Sequence, residues 1–275
     1  MKIVYTLSSD SMLGREAGSK GEEMAAKYLE SYYKETGLSP FMELYVQKFP
    51  FLDDSMHNDI AKNIIGFIDN KADSTIIVGA HYDHLGLGGT KSRSLTSKKI
   101  HHGADDNASG VAVMLMLAEY LNKSKLKFFN YLFIAFSAHE VGLFGSEAFI
   151  TENKQELTNV KLMINLDMVG RLDTISPKLK AIRNSKDNYI DSILINEQIG
   201  RKFNLSISEG ISPSDASVFW ENNIPAITFT TGIHDDYHKT SDIAEKINYY
   251  GMNEITEYII RVIVSMKSNK LIIIN

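Results

Sequence analysis

The chain has no cysteine among its 275 residues, which excludes a disulfide framework and any thiolate metal site. A cation held by this protein must be bound through nitrogen and oxygen. No apolar run approaches the roughly 18 residues needed to cross a bilayer, and residues 1–10 lack the apolar centre of a signal peptide. Basic residues form no long run and the net charge is -5, so no nucleic-acid footprint is expected. An acidic balance suits a cation site.

Histidine, by contrast, is concentrated. His81, His84, His101, His102, His139, His234 and His238 sit in or beside acidic clusters at the ends of apolar runs. The clusters are His81-Tyr82-Asp83, the segment 103–110 with Asp105-Asp106, His139-Glu140, Asn165-Leu166-Asp167, and Asp235-Asp236-Tyr237-His238. Together they offer enough imidazole and carboxylate for two borderline-hard cations such as zinc.

Periodicity predicts strands alternating with helices. Helices are expected over 21–33, 108–121, 143–151, 190–203 and 249–266, and strands over 61–68, 75–80, 129–137, 162–166 and 225–230. The second strand ends directly at His81, and the other site segments likewise follow strands or their connections. That alternation predicts an α/β fold, a mixed, mostly parallel sheet sandwiched by helices, with ligands gathered outside the carboxyl ends of the strands. Continuous apolar strands such as 131–136 need cover on both faces, which the helices supply. The main loop is 86–99, and with no linker, repeat or low-complexity block a single domain over 1–275 is expected.

Each acidic or imidazole group has a bland reading beside the chemical one. His81 is either a satisfied strand-end histidine or a ligand whose ring Asp83 orients. The adjacent acids Asp105 and Asp106 repel one another unless a cation or hydrogen-bond donors compensate. Asp105 could bridge two metals about 3.5 to 4 Å apart, while Asp106, Asn107 and Ser109 could cap the following helix. Asp167 ends a strand that should be buried, and a buried unpaired carboxylate is costly, so it calls for a metal or a salt bridge. Convergence of all these segments on one sheet edge favours the metal.

In order, 80–86 (Ala-His-Tyr-Asp-His-Leu-Gly), 103–110, 136–146 with His139-Glu140, 165–170 and 237–242 resemble the motifs of the co-catalytic zinc aminopeptidase family, which includes bacterial leucyl-type aminopeptidases and has glutaminyl cyclases as relatives. The segment 13–19 resembles the family's opening segment, so the likeness covers nearly the whole chain. The resemblance implies a zinc exopeptidase fold and two zinc ions: His81 and Asp167 on one, Glu140 and His238 on the other, and Asp105 bridging them. It also implies a strained Asp105–Asp106 peptide that can be cis, and a Tyr237 hydroxyl aimed at the scissile carbonyl or the oxyanion. Asp83 and Asp106 are then supporting residues behind the ligands. The implied reaction is removal of N-terminal residues from peptide substrates through a metal-bridging water.

One departure bears on activity. Where the family has two consecutive glutamates, the first a general base and the second a ligand, this chain reads His139-Glu140. An imidazole can act as base, the metals can take over part of that duty, or a different nearby group can shuttle the proton. The alternatives are a catalytically impaired zinc-bound peptide-binding protein on the same fold, or a glutaminyl cyclase-like enzyme. Ser214-Asp215 and Phe219, after Gly210-Ile211-Ser212, resemble the family's segment near the substrate pocket, and their apolar neighbours suggest a hydrophobic side-chain preference. No insert large enough for a protease-associated domain lies between Gln47 and Ile76. Family habit implies export, with an upstream signal or lipid anchor removed.

Overall fold

The computed structural model describes residues 1–52, 57–95, 98–183, 187–210 and 213–267. The helices are α1 (Lys2–Leu7), α2 (Lys20–Glu35), α3 (Gly110–Lys123), α4 (Phe144–Asn153), α5 (Asn188–Gln198), α6 (Asp215–Glu221) and α7 (Tyr249–Ser265). The strands are β1 (Val46–Leu52), β2 (Asn58–Ile68), β3 (Thr75–His81), β4 (Asn130–Phe136), β5 (Val160–Leu166), β6 (Lys178–Arg183), β7 (Asn204–Glu209) and β8 (Ala226–Thr230).

All eight strands join one sheet in the order β1-β2-β4-β3-β5-β8-β6-β7. The central strands β4, β3, β5 and β8 run parallel, whereas β2 meets β4 and β6 meets β8 in antiparallel pairs. Buried on both faces, β3 and β4 carry the near-continuous apolar runs Ile76-Ile77-Val78 and Tyr131 to Phe136 that such strands need. One face packs beneath α2, α3 and α7 around Leu29, Val111, Leu115, Ile255 and Ile259. The other is covered by α4 and α6 around Phe136, Phe149, Phe219 and Trp220.

Helix α2 starts where Ser19 accepts hydrogen bonds from the backbone N–H groups of Gly21 and Glu22, which satisfies two donors of its first turn. The helix expected from residue 108 begins instead at Gly110, because Ala104–Ser109 forms a wide turn whose backbone is interrupted at Asp106 and Asn107. Strands β1, β6 and β7 and helices α1 and α6 have no counterpart in the sequence expectation.

This topology puts the carboxyl ends of four parallel strands side by side. His81 closes β3, residues 137–140 follow β4, Asp167 follows β5, and the turn carrying His234 and His238 follows β8. Among the described residues no helix is long and apolar enough to cross a membrane.

Candidate metal centre

Asp106 stands at the middle of the cluster. Its Oδ1 lies 3.3 Å from His81 Nε2, and its Oδ2 lies 3.2 Å from His238 Nε2. Asp167 approaches His81 Nε2 from the first side at 3.7 Å. On the second side Glu140 places Oε2 3.4 Å from His238 Nε2 and Oε1 3.2 Å from His84 Nδ1. Two groups of donor atoms, His81/His139/Asp167 and His84/Asp106/Glu140, each lie within 4.8 Å of one another.

Buried groups hold these side chains in place. Asp83 accepts the backbone N–H of His139 at 3.2 Å and of Glu140 at 3.1 Å, while its carbonyl faces His81 Nδ1 at 3.2 Å. His238 Nδ1 faces the Lys91 carbonyl at 3.1 Å. Each ring therefore turns Nε2 toward the acids, the arrangement by which a second hydrogen bond fixes a ligating imidazole. Among the described residues His81 Nε2, His238 Nε2 and Asp106 Oδ2 are nonetheless buried without a hydrogen bond. Buried polar atoms are almost always paired, so these three orphans, with both imidazole nitrogens 3.2 to 3.3 Å from Asp106, fit a cation, and a donor set of nitrogen and carboxylate oxygen fits zinc.

The acid that lies between His81 and His238 is Asp106 rather than Asp105, and the cis peptide is Asp106–Asn107 rather than Asp105–Asp106. Asp105 faces the other way. Its Oδ1 accepts the Gly170 N–H at 2.6 Å and the Ser109 hydroxyl at 2.8 Å, and its Oδ2 lies 3.1 Å from His234 Nε2. Gly170 permits this approach, since a Cβ there would fall 2.7 Å from Asp105 Oδ1. Asp242 Oδ2 accepts the backbone N–H groups of both Asp105 and Asp106, at 2.8 and 3.0 Å. Asn107 caps α3 through its bond from Gly110 N–H and ties the turn to β5 through the Leu166 carbonyl. Backbone geometry thus decides which of two identical side chains meets the histidines.

The surrounding loops take unusual conformations. Ala138, Met168 and His238, each at or beside a site residue, adopt positive φ of 56°, 55° and 57°. Such left-handed backbone in residues with a Cβ is uncommon and concentrates at functional sites.

The acids favour the protonated forms of His81 and His238. Burial works to lower the pKa of His238, but Asp106 and Glu140 outweigh it and push it up to about 10. His81 is raised in the same way by Asp106, Asp167 and Asp83 against its burial. The carboxyl of Asp106 is held well below the usual range, its burial more than offset by His238 and His81.

The sequence profile of Peptidase family M28 matches residues 63–263. The chain belongs to that family. It is 27% identical over 236 residues to uncharacterized protein YfbL of Escherichia coli (strain K12), covering 75% of this chain and 71% of YfbL. It is 32% identical over 204 residues to aminopeptidase YwaD of Bacillus subtilis (strain 168), covering 70% of this chain but only 41% of YwaD. Its fold is similar to that of BSAP, a zinc aminopeptidase from Bacillus subtilis, with a TM-score of 0.76 at 18% identity, covering 96% of this chain and 94% of BSAP.

In this M28 chain His139 lies flat against His81, ring centroids 3.8 Å apart and planes 6° from parallel. Its Nδ1 meets Asp215 Oδ2 at 3.0 Å. Burial and the neighbouring His81 depress its pKa, but Asp215 and Asp167 prevail and raise it to about 9. Asp215, fully buried at the start of α6, is the partner that the sequence leaves unassigned. Tyr237 stacks on His238 at 3.9 Å beneath the Arg93 guanidinium, and borders the same cavity as Asp106, His139, Glu140 and Asp167.

His84 stands beside Glu140 within the cluster. His101 and His102 remain outside it, bonded to Ser92 and Asp10. His234 faces Asp105. Ser214 borders the cavity, with its hydroxyl 3.1 Å from that of Thr228, whereas Phe219 is wholly buried in the core. Ile211 and Ser212, and Thr96 and Ser97 of the main loop, lie outside the described residues.

Proposed function

We propose that this chain is a zinc aminopeptidase that binds two zinc ions and removes N-terminal residues from peptides. The observation that carries the proposal is the placement of Asp106, one oxygen toward His81 and Asp167 and the other toward His238, Glu140 and His84. In this reading His81 and Asp167 would hold one ion, His238 and Glu140 the other, and Asp106, which lies between the two histidines, would serve both. His84 adds a nitrogen beside Glu140. Zinc, when bound, supplies Lewis acidity to the peptide carbonyl and to the attacking water.

The remaining work falls to side chains around the cavity. His139 stands where the family's base is expected, with Nδ1 committed to Asp215, so Nε2 is the atom available to take the proton and return it to the leaving amine. A buried carboxylate behind an imidazole fixes the ring and supports the cation that forms. Tyr237 offers a hydroxyl to the developing oxyanion, and burial together with Asp106 and Glu140 raises its pKa, so it stays a donor. A second reading, zinc-bound peptide binding with little turnover, is favoured by the metal-free charge state of His139, since a protonated ring cannot accept a proton.

Metal analysis joined to a leucyl-p-nitroanilide assay of the wild type, His139→Glu and His139→Ala separates these readings. Zinc-dependent turnover by the wild type, reduced in His139→Ala, supports the aminopeptidase. Turnover by His139→Glu alone establishes the binding protein, and failure to bind any divalent metal removes both.

A further inference from the structure

The cavity of about 250 Å³ that reaches the metal centre has a second wall on β6 and β8. These strands pair antiparallel with Lys180 opposite Thr230 and Ile182 opposite Thr228. Because alternate residues of a strand face opposite sides, these four side chains share one face. Leu179 and Ala181 take the other face and join the main core.

Lys180 is the anomaly on that wall. It is half-buried, yet among the described residues its ammonium makes no ion pair or hydrogen bond. A Cβ added to Gly232 would lie 2.9 Å from Lys180 Nζ, and Gly232 itself lines the cavity, so the charge sits against the cavity wall. Guarding an exposed sheet edge does not explain it, because β6 is flanked by β8 on one side and β7 on the other. Half-buried and without a partner among the described residues, the ammonium is available to an anion that enters the cavity. The nearby hydroxyls of Thr228, Thr230 and Ser214 line the same space and add polar partners.

We infer that Lys180 recognises a carboxylate on the substrate, making this cavity selective for a substrate carboxylate rather than for the hydrophobic side chain expected from the sequence. The inference rests on the aminopeptidase reading and names its substrate class. The carboxylate belongs either to the side chain of an N-terminal Glu or Asp or to the C-terminus of a short peptide, and both present the same group to Nζ.

The test uses the zinc-loaded protein and compares kcat/KM for glutamyl- and glutaminyl-p-nitroanilide, and for Leu-Gly against Leu-Gly-amide, in wild type, Lys180→Met, Lys180→Arg and Lys180→Glu. One of the two ratios should favour the carboxylate by about 10- to 100-fold in wild type, collapse in Lys180→Met and return in Lys180→Arg. The first ratio identifies the side chain as the source, the second the C-terminus. In Lys180→Glu the anilide preference should turn toward a lysyl substrate if the side chain is read. Calorimetric binding of the α-hydroxamates of glutamate and glutamine repeats the side-chain comparison without turnover, and binding of Gly-Glu hydroxamate against its C-terminal amide repeats the other, so loss of the peptidase reading leaves the inference testable. Ratios and affinities that do not change across all Lys180 variants overturn it.

Discussion

His139 and Asp215, 76 residues apart in the chain, meet in a buried hydrogen bond of 3.0 Å at the edge of the metal centre. One follows β4 and the other opens α6, so the pair exists only because the sheet brings those two connections together. Its carboxylate member faces the imidazole that stands where the resemblance implies a glutamate.

If His139 is the base, His139→Ala should lower kcat by about 10² to 10⁴, and Asp215→Asn by about 10 to 100, with zinc content retained in both. Asp215 raises the pKa of His139. Removing its charge lowers that pKa, makes the neutral ring available at lower pH, and should move the acid limb of the pH–rate profile downward. A limb that stays in place in Asp215→Asn assigns the proton transfer to another group.

Zinc loading should release protons. In the metal-free chain His81 and His238 are protonated at neutral pH, the second with a pKa of about 10, whereas a ligating imidazole must be neutral, so about two protons leave at pH 7. Apparent zinc affinity should therefore rise with pH across the neutral range. The same raised values stabilise the metal-free fold fully below the unfolded histidine pKa of about 6.5, and that contribution is lost as pH rises toward about 10. Calorimetry in buffers of different ionisation heat measures the release, and a buffer-independent heat contradicts it.

Arg15 should be a stability residue. Its guanidinium is fully buried and donates to the carbonyls of Tyr82, His102 and Gly103 at 2.7, 2.8 and 3.0 Å, and also to that of Leu7. It thereby ties the opening segment to both loops that carry His81 and Asp106. Arg15→Met leaves these acceptors unsatisfied and removes a buried cation that interacts with Asp106 and Asp83, at a cost of about 3 to 5 kcal/mol in urea unfolding. A loss below about 1 kcal/mol would mean that water replaces the guanidinium.

The strand-to-ligand pattern was legible because apolar runs ending in His or Asp mark both a buried strand and the place where its carboxyl end meets a ligand. His81 and Asp167 stand at such ends, whereas the roles of Glu140 and His238 came from the family resemblance. The choice between Asp105 and Asp106 could not, since the residues are chemically identical and only the turn at 104–109 decides which one faces inward. Asp215 was noticed without a role because its partner is distant in sequence. The strands β6 and β7 carry alternating polar residues, such as Lys178-Leu179-Lys180 and Ser206-Ile207-Ser208, that give a weak signal beside the apolar central strands. Lys180 reads as an ordinary solvated charge until the register with Thr230 places it on the cavity wall.

The most direct measurement is the zinc content of purified wild type, Asp105→Asn and Asp106→Asn after dialysis against trace zinc. The prediction is about two ions per chain for wild type and for Asp105→Asn, whose amide can still accept the Gly170 N–H, and one ion or fewer for Asp106→Asn. Zinc lost in Asp105→Asn but kept in Asp106→Asn, or no zinc in the wild type, would contradict a centre built around Asp106.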